Sequence, residues 1–216
     1  MALQKIDVSE VEQGQENQDL SPGISLDLSY VKTYLRVDHD QDDGMIESFV
    51  KTAQSSIEAY TSRALGVQAW EFTLNAGFAV ARSDEAYLSQ SKSRGDQGIE
   101  IPRSPFLELI EDPSLETPYG IKSLNDYRLD TSGRTARIHF GPSAQSLMDG
   151  TGKIIIRFRA GYTADTLPDA LKQATLMLTA QLYERRSAVN DNPGLVGEFD
   201  RNLTMLLRPY QVKRLA

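Results

Sequence analysis

The chain has 216 residues, a formal net charge of −7 and no cysteine. That length suffices for one compact core, alone or with an inserted lobe, and the missing thiols exclude disulfides, thiolate metal sites and cysteine nucleophiles. The negative charge argues against a protein that grips nucleic acid through a broad basic face.

The N-terminal region, residues 1–23, has the composition of an exposed arm. It is rich in Gln, Glu and Ser, nearly lacks aromatic and β-branched residues, and ends in Ser21-Pro22-Gly23. Such a segment is expected to be flexible, either as a disordered tail or as an arm that becomes ordered on a neighbouring subunit. No secretory signal and no apolar run of roughly 20 residues is present, so we expect a soluble protein without a membrane partner.

Residues 24–66 predict a helical hairpin. Asp27 is suited to cap a short helix that ends near Arg36. A second helix is expected from about Asp42 to Arg63, ended by Gly66. Its apolar residues recur at helical spacing and are Ile46, Phe49, Val50, Ala53, Ile57 and Tyr60.

Residues 67–164 predict a β-rich lobe, because the apolar period changes from helical to alternating. The alternation begins at Trp70, Phe72 and Leu74. Further strands are expected at residues 99–101, 106–110, 127–129, 136–140 and 153–160. The polar stretch 89–98 is expected to be an exposed loop, within a longer connection that spans residues 76–98.

Residues 165–216 predict a long helix, a linker, a short helix and a C-terminal tail. The long helix begins at Leu167-Pro168-Asp169 and is expected to reach about Ser187. Because its apolar residues lie on several sides, it is either a central core helix or a core helix that also contacts an adjacent subunit. The candidates for that subunit contact are Leu176, Met177, Ala180 and Tyr183. The fold class expected from the whole pattern is α+β.

Two loop patterns resemble ligand sites but fail in detail. The run Asp38–Asp43 resembles a calcium loop, yet the positions that require Gly and a bidentate Glu hold Asp43 and Phe49. Gly150-Thr151-Gly152-Lys153 resembles the end of a phosphate loop, but Ile154 replaces the required Ser or Thr. Neither pattern predicts a ligand.

The two histidines, His39 and His139, have no partners at the spacing of a metal site or a catalytic triad. The sequence therefore predicts no catalytic residue, no metal ligand and no cofactor-binding residue. A small hydrolase is disfavoured for the same reason.

Several segments between residues 24 and 212 occur in an order and spacing typical of a known family. They are Leu28–Asp38 with Asp42, Asp43 and Ile46, then Ala53, Ile57, Glu58, Tyr60, Thr61 and Arg63, then Ile101–Phe106, Tyr127 and Ala160–Tyr162, then Leu167-Pro168, Leu182–Arg186 and Leu206–Tyr210. In these segments the chain resembles the head-to-tail connector, or adaptor, proteins of tailed bacteriophages, in the long form with a β-rich insertion. It departs from the family at Gln211, where relatives often have Arg, in the polar stretch 89–98, and in the N-terminal arm.

The resemblance implies a virion structural protein with no enzymatic activity. It implies a homo-oligomeric ring, commonly of twelve copies, at the head-tail junction, assembled in the host cytoplasm. Its partners would be the portal protein and a tail-completion or stopper protein. Genome DNA would pass through the channel during ejection without sequence-specific binding.

The C-terminal end carries basic residues and an aromatic residue. Arg208, Tyr210, Lys213 and Arg214 have no acid among them, which favours an end that binds the portal. The alternative is a solvated tail. A rival function, a DNA-packaging accessory that uses the first two helices as a helix-turn-helix, is disfavoured by the acids of the turn at residues 38–43, which would repel phosphate.

Overall fold

The structure is a computed structural model, and it describes residues 1–6, 26–77, 98–148, 152–163, 165–185 and 201–212. The chain divides into two compact units. Unit 1 comprises Met1–Leu20 and Val67–Gly161, and unit 2 comprises Ser21–Gly66 and Tyr162–Ala216. Helices and antiparallel sheets occur together, which confirms the α+β class.

The helices are α1 (Leu28–Leu35), α2 (Asp43–Thr61), α3 (Pro142–Leu147), α4 (Asp169–Glu184) and α5 (residues 201–207). The strands are β1 (Ala2–Ile6), β2 (Gln68–Asn75), β3 (Ile99–Glu100), β4 (Phe106–Leu109), β5 (Ser114–Thr117), β6 (Gly120–Ser123), β7 (Tyr127–Asp130), β8 (Arg137–Phe140) and β9 (Lys153–Ala160). Among the described residues, no helix is long and apolar enough to span a bilayer.

Unit 1 is built from two antiparallel sheets. The larger has the order β1-β2-β9-β5-β6, with β4 also pairing with β9, and the smaller has the order β3-β8-β7. Period-2 alternation along β9 buries Ile154, Ile156 and Phe158 in a hydrophobic core that both sheets share. The opposite face carries charged residues, and there Arg157 donates to Glu71 over 2.9 Å across the strands.

The first six residues differ from the expected flexible arm. Residues 2–6 form β1, which pairs antiparallel with β2 so that Leu3 lies opposite Phe72 and packs at the margin of the core. Backbone hydrogen bonds to an existing strand edge supply the order that the polar composition alone did not predict. The rest of the expected arm, residues 7–23, lies outside the described residues.

Strands β5 and β6 and helix α3 were not expected. Residues 113–123 are rich in turn-forming residues, so the sequence did not indicate strands there. They form a hairpin whose loop is only Pro118-Tyr119. Helix α3 begins with Pro142 after Gly141, and Asp126 accepts a hydrogen bond from Ser143 N over 2.8 Å at its start. The stretch 89–98 lies outside the described residues apart from Gly98.

Unit 2 contains the predicted helical hairpin and the two C-terminal helices. Asp27 caps α1 as expected, accepting from the backbone N–H of Ser29 over 3.2 Å. Helix α2 ends at Thr61 and is followed by Ser62, which has a φ of 55°, so it stops before the expected Arg63. The long helix α4 ends at Glu184, before the expected Ser187, which lies outside the described residues. The short helix was expected over residues 199–207, and 201–207 are helical.

Two apolar clusters hold unit 2 together. One joins α2, α4 and α5 through Ile57, Leu171 and Leu207. The other joins α1, α2 and α4 through Val31, Ile46 and Leu176. Helix α4 contributes to both clusters, which agrees with its apolar residues lying on more than one side.

Candidate assembly surfaces

The C-terminal end of the described chain is fastened to the end of α2. Arg63 donates from Nε to the backbone carbonyl of Tyr210 over 2.6 Å and from NH1 to the hydroxyl of Tyr162 over 2.9 Å. The backbone N–H of Val212 donates to the carbonyl of Thr61 over 3.0 Å. These contacts define a C-terminal anchor, residues 208–212, from which the last residues of the chain depart.

The electrostatics of the anchor keep Tyr162 neutral. Burial raises the pKa of the Tyr162 phenol above its usual 10.0, and the neighbouring Arg63 guanidinium partly opposes that rise. The neutral phenol oxygen accepts the hydrogen bond from Arg63, so the guanidinium is held between a side chain and a carbonyl. The sequence placed Arg63 at the end of the second predicted helix and did not predict this role.

The residues expected to bind the portal differ in their environments. Arg208 is exposed, whereas the side chain of Tyr210 packs partly buried against the cluster around Leu207. Lys213 and Arg214 lie outside the described residues. A deletion that begins at residue 208 would therefore remove structural contacts of unit 2 as well as the basic tail.

The residues expected to contact a neighbouring subunit are also divided. Leu176 is 2% exposed in the core cluster with Val31 and Ile46, so it has no surface to offer, and this part of the prediction is corrected. Helical spacing alone could not decide which apolar side of α4 faces inward. Met177, Ala180 and Tyr183 are partly exposed, and the Tyr183 hydroxyl donates to Asp42 over 2.7 Å.

Met177 and Ala180 line an open cleft of about 450 Å³ between the end of α1 and the second half of α4. Its lining is Tyr34, Leu35, Arg36, Met177, Ala180, Gln181, Glu184 and Arg185. Its lining combines apolar and charged side chains, which is the mixed character of a protein contact surface. We call this feature the α1–α4 cleft.

The acidic turn between α1 and α2 is an ion-pair site of the hairpin. Lys32, whose side chain is 14% exposed, contacts Asp40 at 2.5 Å and Asp43 at 2.8 Å. The hydrogen bond from Lys32 lowers the pKa of Asp40, and the same contact raises the pKa of Lys32. The turn is stabilised within the chain, and its carboxylates would oppose a phosphate backbone.

The ligand patterns considered from the sequence take structural roles. Gly152 has a φ of 102° and its backbone carbonyl accepts from Ala76 over 3.1 Å, so this end of the phosphate-loop-like run leads into β9. Residues 149–151 lie outside the described residues. Within the described ranges, no group of three His, Cys, Asp or Glu side chains is placed to hold a metal ion.

The motif Ile101–Phe106 connects the two sheets of unit 1. Arg103 places its guanidinium carbon 4.6 Å from the centre of the Trp70 ring, a cation–π contact. Ser104, fully buried, donates to the carbonyl of Arg134 over 2.7 Å. The carbonyl of Pro105 accepts from Gly161 N over 2.8 Å. This motif stabilises the lobe.

The β5–β6 hairpin is an exposed feature that sequence analysis missed. Tyr119 at its tip is 97% exposed and Ile121 on β6 is 73% exposed. The Thr117 hydroxyl donates to Gly120 O over 2.9 Å and accepts from Tyr119 N over 3.3 Å, which fixes the turn. The only sequence signal was the turn-forming dipeptide next to Gly120.

Residues 25–104 match the family model of phage gp6-like head-tail connector proteins. That stretch contains α1, α2, β2 and β3. Over that stretch, the match confirms the resemblance to phage head-tail connector proteins that the sequence motifs indicated.

The fold is shared with chains of solved particle structures over nearly the whole length of both partners. A chain from the neck of an empty GTA particle computed with C6 symmetry is 20% identical, with a TM-score of 0.64 over 100% of this chain and 98% of that one. A chain from the virion of the native gene transfer agent particle is 19% identical, with the same TM-score and coverage. A chain from the native neck computed with C12 symmetry is 18% identical, with a TM-score of 0.54 over 92% of this chain and 98% of that one.

A curated plant protein also aligns with the sequence. The ubiquitin-like-specific protease ESD4 of Arabidopsis thaliana is 26% identical over 163 residues, which are 71% of this chain and 31% of the protease. The chain thus spans about a third of that protein's length.

Proposed function

We propose that this chain is a virion structural adaptor whose identical copies form a ring between the capsid portal and the tail. The match of residues 25–104 to the phage connector family carries the proposal. The likeness in fold to chains of particle necks computed with C6 and C12 symmetry supports it, and twelve copies are the number that we propose.

The portal contact in this proposal is made by the C-terminal end. Arg208 is exposed on the C-terminal anchor, and Lys213 and Arg214 follow directly after Val212, which is tied to Thr61. A basic tail that leaves from a fixed point pays less ordering entropy on binding than one attached to a mobile segment. A tail-completion or stopper protein would dock on the opposite side of the ring.

The role in the DNA channel is that of a passive conduit. Each copy carries a net charge of −7, so a ring of copies repels the phosphate backbone overall and does not retain it. Genome DNA would therefore pass during ejection without sequence-specific binding. The proposed function requires no catalytic step, because the protein acts as a structural part of the assembled virion.

The experiment measures the mass of the purified chain by native mass spectrometry, alone and with the portal protein of the same virion. A discrete ring-sized complex on the portal is expected.

Arg208→Glu combined with removal of residues 213–216 should abolish portal binding while the helical circular dichroism stays unchanged. Arg201→Glu, on the exposed side of α5, is the matched control. A chain that stays monomeric with portal present would overturn the function, and unchanged binding by the tail variant would overturn the portal contact.

A further inference from the structure

The tip of the β5–β6 hairpin exposes apolar surface that a lone subunit leaves uncovered. Tyr119 and Ile121 are 97% and 73% exposed, and all four residues of β6 face solvent at one edge of the larger sheet. An exposed strand edge with apolar side chains is an association site unless something covers it. Tyrosine is also one of the residue types enriched among the anchors of protein interfaces.

The hairpin presents this tyrosine in a fixed position. Thr117 bonds both Gly120 O and Tyr119 N, so the turn is held by its own side chain. A pre-ordered tip loses little conformational entropy when it docks. The tip is therefore suited to enter a preformed recess.

The α1–α4 cleft is a recess of suitable size and chemistry. It has a volume of about 450 Å³, and Tyr34, Met177 and Ala180 are among the residues that line it. Arg36 and Arg185 also line it, and a guanidinium can stack on an aromatic face.

We propose that Tyr119 of one copy inserts into the α1–α4 cleft of the adjacent copy. The inference rests on the proposed ring, because a cyclic assembly joins two different surfaces of the same chain, repeated at every contact. The hairpin and the cleft are two such surfaces, one in each unit. In this contact Met177 and Ala180 would pack against Tyr119 of the adjacent copy, which agrees with the sequence prediction that they contact a neighbouring subunit.

The charges of the two surfaces can pair with opposite signs. Beside the tip, the hairpin carries exposed Glu116 and Lys122. The lining of the cleft includes Arg36, Arg185 and Glu184. Contact of Glu116 with an arginine and of Lys122 with Glu184 would give the docked tip complementary charges.

The absence of cysteine from the chain permits a direct test. Lys122→Cys, beside the tip, and Glu184→Cys, at the cleft, are combined in one chain that keeps Tyr119, and rings assembled on the portal are oxidised and run on denaturing gels without reductant. A ladder of covalent multimers is expected, because a disulfide requires Cα atoms within about 7 Å. Lys122→Cys with Ser55→Cys, on an exposed side of α2, is the matched control and should give no ladder.

Assembly strength is measured with single variants. Tyr119→Ala should weaken subunit association at least about tenfold, while Tyr119→Phe preserves it and Tyr60→Ala, another exposed tyrosine, leaves it unchanged. Rings that form normally yet give no ladder, or an intramolecular disulfide alone, would overturn the hairpin contact and leave the adaptor function standing. Failure of the unmodified chain to form any ring on the portal would overturn both.

Discussion

The guanidinium of Arg63 donates to the backbone carbonyl of Tyr210 across 2.6 Å and links residues separated by 147 positions. Its second nitrogen reaches the hydroxyl of Tyr162, so one side chain at the end of α2 holds two later segments of unit 2. The position from which the C-terminal tail leaves is thereby set by a residue of the N-terminal helical hairpin. Loss of this side chain should affect the anchor first.

Replacing Arg63 by Met is expected to lower the free energy of unfolding of unit 2 by about 1.5–3 kcal/mol, because two charge-assisted hydrogen bonds are lost and a buried carbonyl is left without its donor. Urea unfolding followed by helical circular dichroism measures the change. Arg201→Met, at an exposed position of α5, serves as the control. Equal midpoints for both variants would contradict the role of the anchor.

Truncation should separate the anchor from the tail. A chain ending at Val212 keeps the bond from Val212 N to Thr61 O and should unfold like the full chain. A chain ending at Leu207 loses that bond and the packing of Tyr210, and should melt several degrees lower. Calorimetry compares the two. Identical melting temperatures would show that the anchor adds nothing to stability.

The core of unit 1 depends on Phe158, which is fully buried and stacks on Phe106 with ring centres 6.2 Å apart. Phe158→Ala is expected to cost about 3–5 kcal/mol, since it leaves a cavity where the two sheets meet. The chain has one tryptophan, Trp70, which is 8% exposed and reports on unit 1 through its fluorescence. Ile121→Ala, on exposed β6, should leave the fluorescence transition unchanged. A similar loss in both variants would contradict the burial pattern.

The elements with a strong period could be predicted from the sequence. An uninterrupted apolar pattern is present in helices α1, α2 and α4 and in strands β2 and β9. Such a pattern can be read from neighbouring residues, because it marks the side of the element that is buried. Strand β1 was missed because its order comes from pairing with β2, a contact between residues far apart in sequence. The β5–β6 hairpin was missed because Pro118 and Gly120 indicate a turn without indicating that strands flank it.

The candidate surfaces were harder to predict than the fold. An apolar pattern identifies α4 as a helix with several apolar sides, but only packing shows that Leu176 faces inward while Met177 and Ala180 remain open. Tyr119 has an aromatic side chain, yet it is almost fully exposed. A loop of two residues is too short for an apolar periodicity that would predict this exposure. Exposure of single residues is a property of tertiary contacts.

Glycine is required at residue 152. Its φ is 102°, and a Cβ placed there would lie 2.5 Å from the carbonyl oxygen of Glu116. Gly152→Ala is therefore expected to destabilise unit 1 by more than about 1–3 kcal/mol, since backbone strain and a backbone clash add. Gly120 has a φ of 130° but open space around it, so Gly120→Ala carries the strain alone. Trp70 fluorescence in urea ranks the two variants, and an equal loss would contradict the clash.

The contact between Lys32 and Asp40 should make the stability of the helical hairpin depend on pH. Because the contact lowers the pKa of Asp40 below 3.8, its stabilisation is present above the ordinary carboxyl pKa and is lost as the pH falls through the lowered value. Because it raises the pKa of Lys32 above 10.5, the same stabilisation is lost when the pH rises through that raised value. Lys32→Gln is therefore expected to be most destabilising, relative to the unchanged chain, near neutral pH, with the difference shrinking at a pH of about 3 or below.

Asp40 is 91% exposed, so added salt should also shrink the difference in stability between Lys32→Gln and the unchanged chain. Urea unfolding followed by helical circular dichroism at both pH values tests this, with Lys51→Gln at an exposed position of α2 as the control. A Lys32→Gln deficit that stays constant with pH and salt would assign the role of Lys32 to the packing of its aliphatic chain instead of its charge.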